Sequence, residues 1–212
     1  FVFASMQNAY FGKQKKLNVE RIKKSQTKFQ VPLTDEKGRG MFITVEQDLP
    51  TLNALRLAMS IGFYAGNGFK WNDNVYYDGM MAEPLPIQKV ISDGYKNILV
   101  LLNMPLNWND EDDNLFLRLL KYYWLRNKSS EFCMAYFSRQ MRYKNSLNHI
   151  LNHDLINMNI SIIAPSSACI NLPFYTRRSN ILRRAAEEGI SIIEESFNTK
   201  IPIKPLLEDK LR

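Results

Sequence analysis

Residues 76–105 read Tyr-Tyr-Asp-Gly-Met-Met-Ala-Glu-Pro-Leu-Pro-Ile-Gln-Lys-Val-Ile-Ser-Asp-Gly-Tyr-Lys-Asn-Ile-Leu-Val-Leu-Leu-Asn-Met-Pro. An aromatic, strand-prone run, Val75-Tyr76-Tyr77, leads directly into Asp78-Gly79, so a carboxylate is expected at a strand end. Pro84 and Pro86 impose an extended path and suit the first turn of a helix. Ile87, Val90 and Ile91 recur at helical spacing, and Gly94 fits the position just past a helix end. Ile98-Leu99-Val100-Leu101-Leu102 is then an unbroken apolar run of the kind a buried strand shows. The order is strand, Asp-Gly turn, short helix, buried strand. In open α/β sheets ligands bind outside the carboxyl ends of strands, and this order puts Asp78 at such a place.

Upstream, Phe69-Lys70-Trp71 and Val75-Tyr76-Tyr77 flank Asn72-Asp73-Asn74, turn chemistry for a small hairpin that delivers Asp78. Residues 27–33 and 41–45 read as two strands around the turn group Asp35-Glu36-Lys37-Gly38, and residues 17–22 as a short helical turn. Thr51 is the expected N-cap of a helix whose Leu52, Leu55 and Met59 form one stripe; the helix should break at Gly62, with Gly66 and Gly68 in a connector.

This segment resembles the patatin-like phospholipases, lipid acyl hydrolases with a Ser–Asp dyad. Their second motif is Asp-Gly-Gly or Asp-Gly-Ala, followed by a Pro-containing loop, a short helix ending in Gly and a hydrophobic strand. Asp78-Gly79, Pro84, Pro86, Gly94 and residues 98–102 match it in that order. Residues 54–61 resemble the helix that precedes the motif, and Thr34-Asp35 resembles the end of an earlier strand. Met80 stands where the family has a small residue and Gly62 where it usually has Pro. The family's Gly-x-Ser-x-Gly nucleophile and Gly-rich oxyanion loop have no counterpart here: Ser60, Ser161 and Ser166 lack flanking glycines at that spacing. The resemblance covers residues 19–105. It implies a mostly parallel α/β sheet flanked by helices and a catalytic Asp78 aimed by a turn at Gly79. It also implies a serine supplied by an upstream segment or another chain, and no cofactor or metal.

Downstream, residues 106–212 are expected to form a mostly helical extension packed on a 1–105 portion of the catalytic domain. Asp110, Glu111, Asp112 and Asp113 precede residues 115–125, where a helix N-terminus favours negative charge; a metal loop is the weaker reading. Residues 115–125 are apolar nearly all round, which predicts a core helix, with a lid or membrane-facing element as the alternative. Residues 131–157 continue helically. His149 and His153 share a helix face, but zinc would need a third ligand. A short strand over 160–164 follows, then a helix capped by Ser179 or Asn180 with Gly189 near its middle or end, and an extended tail over 200–212. The Arg-bearing linker and closing helix resemble the C-terminal extension of some bacterial patatin-like proteins.

The 212 residues can bury a sizeable core, and no apolar run approaches the ~18 residues a bilayer requires. Cys133 and Cys169 lack metal-site or disulfide spacing and read as buried thiols. The formal charge of +7 is concentrated at Lys13, Lys15, Lys16, Arg21, Lys23, Lys24 and Lys28, with a second cluster at Arg177, Arg178, Arg183 and Arg184. A solvated face accounts for the first cluster; attraction to anionic lipid headgroups is the functional alternative. Nucleic acid is a weaker third, since no binding motif accompanies the charge. The expected function is therefore a lipid acyl hydrolase acting at a membrane surface, cytoplasmic or secreted. An inactive patatin-like scaffold that binds lipid or protein is the alternative.

Overall fold

The computed structural model describes residues 17–62, 66–107, 115–152, 158–165 and 178–198. They form a mixed α/β chain that divides into two compact units, each taken separately below.

The first unit draws on residues 1–86 and 112–146. Helix α1 (Val19–Lys23) is capped by Asn18, whose Oδ1 accepts from Arg21 N at 3.0 Å. Strands β1 (Gln30–Asp35) and β2 (Gly40–Thr44) pair antiparallel, Leu33 against Met41. Their turn is closed by the Asp35 carboxylate, which accepts from the Lys37 and Arg39 amides at 2.9 Å and pairs with the Arg39 side chain. Strands β3 (Phe69–Trp71) and β4 (Asn74–Asp78) form the expected hairpin; Asn72 and Asp73 both take positive φ, the backbone of a two-residue type I′ turn. β4 also pairs antiparallel with β1, Leu33 opposite Asp78, so the sheet order is β2-β1-β4-β3.

Alternation along β1 and β4 sends side chains to two different cores. Val31, Leu33 and Tyr76 join Ile43, Val45 and the Ala54 and Leu57 of helix α2 (Thr51–Ala58) on one face. Tyr77 and Val75 point the other way, into an aromatic cluster with Met81, Trp124, Phe132 and Tyr136. The last three come from helices α4 (Leu115–Leu125) and α5 (Ser130–Asn152). Trp124 meets both Tyr77 and Phe132 edge-on, with ring centroids 5.7 and 5.6 Å apart. Lys128 donates to the Tyr77 hydroxyl and lies over its ring, and Trp124 Nε1 donates to Gly66 O at 2.7 Å. Gly38 lets the β1–β2 turn touch α5, for a Cβ there would stand 2.7 Å from Ala135 Cβ.

Two expectations change in this unit. Thr51 is not the N-cap of α2: Pro50 holds that position, and the Thr51 amide and hydroxyl donate back to the Glu46 carboxylate. Helix α4 is not apolar-buried all round, since Leu119, Tyr122 and Tyr123 are exposed while Leu125 is buried.

The second unit draws on residues 87–111 and 147–212. Helix α3 (Ile87–Ser92) ends as expected at Gly94: with φ 85°, its N–H donates to Ile91 O, and Tyr95 N donates to Val90 O, a Schellman closure. Strand β5 (Asn97–Leu101) pairs in parallel with β6 (Asn159–Ile163), Leu99 opposite Ser161. The expected mostly parallel sheet is not what the described residues form. Their larger sheet, β2-β1-β4-β3, is antiparallel throughout because hairpins join β1 to β2 and β3 to β4, and β5 with β6 is the one parallel pairing among them. β5 was expected to be buried, yet only its Val100 is; Leu101 is 64% exposed. The strand is covered on one face only: Ile98 and Val100 are at least partly buried, while Asn97, Leu99 and Leu101 alternate outward. Helix α6 (Ser179–Asn198) starts at Ser179, with Gly189 in its middle.

Candidate functional site

Asp78 ends β4, and three contacts fix the backbone around it. Its N–H donates to Ser60 O, just beyond the end of α2, at 3.0 Å. Its carbonyl accepts from the hydroxyl of Thr34 on β1 at 2.9 Å. The same hydroxyl accepts from Ala82 N at 3.1 Å. Thr34 therefore ties together both ends of the single 3₁₀ turn, Gly79–Met81, that follows the aspartate. Thr34 is fully buried, and its one oxygen serves both backbone groups.

A second clamp reaches the turn from α5. Arg142 donates to Met81 O and Ala135 O, and its other terminal nitrogen donates to Ser138 Oγ at 2.6 Å. Burial lowers the pKa of this guanidinium, the Glu83 charge opposing.

Gly79 is required here by contact. Its φ is not positive, and a Cβ added to it would stand 2.5 Å from Pro32 Cβ and 2.6 Å from Pro32 C and O. Pro32 lies on β1, so the aspartate's turn is pressed against a central strand whose backbone cannot give way. The sequence identified the glycine but not this reason for it.

The carboxylate itself has two unlike oxygens. Oδ1 accepts from Met80 N at 3.0 Å, capping the turn. Among the described residues Oδ2 has no hydrogen-bond partner and no cation forms an ion pair with the group. Burial consequently pushes the Asp78 carboxyl above the ordinary aspartate range, the Met80 amide opposing. Such a group can accept a proton from a nearby hydroxyl.

Among the described residues none of the other sequence candidates hydrogen-bonds to the Asp78 carboxylate. Ser60 is beside Asp78 through its backbone, but its hydroxyl is buried and donates to Arg56 O at 3.1 Å. Ser161 sits on β6 in the second unit, and Ser166 lies outside the described residues. His149 is on α5; His153, Asp110, Glu111, Asp112, Asp113 and Cys169 lie outside the described residues. Cys133 is half-buried, with its thiol 3.6 Å from Leu125 O. No group of three or more His, Cys, Asp or Glu suited to a metal occurs among the described residues. Arg21, Lys23, Lys24 and Lys28 are all exposed, Lys23 pairing with Glu20 at 3.4 Å. No helix among the described residues is long and apolar enough to cross a membrane.

Sequence reading missed Thr34 and Arg142. In the sequence Thr34 stands out only as part of Thr34-Asp35, and nothing in the spacing signals that residues 34, 78, 82 and 142 converge. Comparison of the chain with protein-family models, with curated proteins and with solved structures gives no match.

Proposed function

We propose that this chain carries the Asp half of a patatin-like Ser–Asp dyad and belongs to a lipid acyl hydrolase. The observation that supports the reading is the Asp78 carboxylate. It sits at a strand end, is held rigidly by Thr34 and the Gly79–Met81 turn, and keeps Oδ2 without a partner among the described residues. In this reading a serine outside these 212 residues attacks the ester carbonyl, and Asp78 takes the hydroxyl proton directly. A positioned base contributes about 10²–10⁴-fold. Backbone amides of a Gly-rich loop would hold the tetrahedral oxyanion, each worth about 2.7–4 kcal/mol. No metal or cofactor enters the proposed reaction. The exposed Arg21, Lys23, Lys24 and Lys28 would draw the protein to anionic lipid, about 1 kcal/mol per basic side chain near the surface.

The Oδ1–Met80 bond favours one second reading, in which Asp78 only caps its turn and the fold is an inactive lipid- or protein-binding scaffold. Asp78→Asn separates the two, because asparagine keeps the cap acceptor and loses the base. Hydrolysis of a fluorogenic phospholipid by protein that includes the proposed serine should fall at least a hundredfold, with circular dichroism unchanged. Unchanged turnover would exclude Asp78 as the base, and an inactive wild type would leave the scaffold.

A further inference from the structure

Helix α6 carries two apolar stripes. Ile181, Ala185 and Ile192 are partly buried, and the helix packs on β6 within the second unit. Leu182, Ala186, Ile190, Ile193 and Phe197 recur at helical spacing on a different face and are exposed, Ile190 by 57% and Phe197 by 70%. The helix also carries a glycine at its centre for which the described residues give no reason. Gly189 has no positive φ, and a Cβ built on it meets nothing within 4 Å. Glycine weakens a helix interior. It is useful where a second backbone must come close.

The charges beside the exposed stripe say what comes close. Arg183 and Glu194 stand eleven residues apart, three turns, on the same flank of the stripe; both are exposed and neither has an ion-pair partner among the described residues. In an antiparallel pair of identical helices, like flanks face each other. Arg183 of each copy then meets Glu194 of the other, twice. The two-fold centre this requires lies between residues 188 and 189, beside Gly189, and within a residue or so of the middle of the Leu182-to-Phe197 stripe. Apolar seam, glycine and charges share one centre, so the surface is complementary to itself. A parallel pairing puts that flank against the side bearing Ile181, Ala185 and Gly189, where neither charge finds a partner. An anionic membrane is a poor occupant, because the helix holds two arginines against four glutamates, a net −2.

We infer that α6 is a self-association surface on which a second copy of this chain docks antiparallel across Gly189. The 212-residue chain should sediment as a dimer at concentrations up to about 100 μM, where even a Kd of about 10 μM leaves most chains paired. Ile190→Glu with Ile193→Glu should give a monomer of unchanged helicity. Arg183→Glu or Glu194→Arg alone should weaken dimerisation about tenfold, since each places like charges together at two symmetric sites, and the double reversal should restore it. Gly189→Leu should weaken the dimer without loss of helix content. A wild type that stays monomeric overturns the inference. So do a dimer that survives Ile190→Glu with Ile193→Glu, a double reversal that fails to restore association, and variants that alter vesicle binding by a monomer.

Discussion

Strands β4 and β5 begin from similar apolar runs, Val75-Tyr76-Tyr77 and Ile98-Leu99-Val100-Leu101, and meet different fates. β4 pairs on both sides, with β1 and β3, and its Tyr76 and Tyr77 enter cores on opposite faces of the sheet. β5 has one described neighbour, β6, and leaves Leu99 and Leu101 exposed. Around β4 the chain finishes its own burial, and that completeness is what holds Asp78 in place. Around β5 and α6 it leaves apolar surface uncovered. Parallel strands are ordinarily covered on both faces, and a helix with two apolar stripes has more to bury than one neighbour supplies. The contrast is between strands rather than whole units, for helices α4 and α5 of the first unit also expose Tyr122, Phe137 and Met141.

The contrast can be broken by mutation. Phe132 is fully buried among Tyr77, Trp124 and Tyr136, so Phe132→Ala should cost about 3–5 kcal/mol in denaturant unfolding. Gly79→Ala forces a methyl into the Pro32 backbone and should cost about 3 kcal/mol, the upper part of the overpacking range. Thr34→Val keeps the shape but takes the hydroxyl donor from the Asp78 carbonyl and leaves the Ala82 amide with Gly79 O alone; about 1–2 kcal/mol is expected, with slower ester turnover through a displaced carboxylate. Leu101→Ala, by contrast, should change stability by less than about 0.5 kcal/mol in this chain. A loss of core size there would show that β5 is covered, and would erase the distinction.

The smallest effect concerns pH and carries a sign. Burial raises the folded-state pKa of Asp78, so the folded protein holds that proton more tightly than the unfolded chain does. The stability linked to this group is fully present below the ordinary aspartate pKa and is lost as pH rises through the folded value. Asp78→Asn removes the titration. It should therefore unfold at a slightly higher temperature than wild type near neutral pH, and the advantage should vanish in acid. A variant less stable than wild type at neutral pH would mean that the carboxylate is satisfied by a partner, which would weaken its standing as a base.

Local chemistry made much of the fold legible. Asn72-Asp73 specified the β3–β4 hairpin because both residues tolerate positive φ, and Gly94 specified the end of α3 for the same reason. The aromatic run before Asp78-Gly79 was enough to place a carboxylate at a strand end. Helix ends were less legible. Thr51 looks like a cap in sequence, but an acceptor five residues earlier, Glu46, claims its amide and hydroxyl. An apolar helix such as α4 reads as core until its neighbours are known, because hydrophobicity states what could be buried and says nothing of what covers it.

By itself, then, the sequence determined the short-range features, which depend on which backbone angles a residue allows and which side chains alternate. Only tertiary structure decided the rest. Strand pairing set β1 against β4 and so brought Thr34 onto the Asp78 turn, 44 residues away. Helix docking brought Arg142 to Met81, 61 residues away. The approach of Pro32 made a glycine at 79 a steric requirement. Contacts of this kind join residues with no fixed spacing, and their energy exists only once the chain has closed the long loops between them.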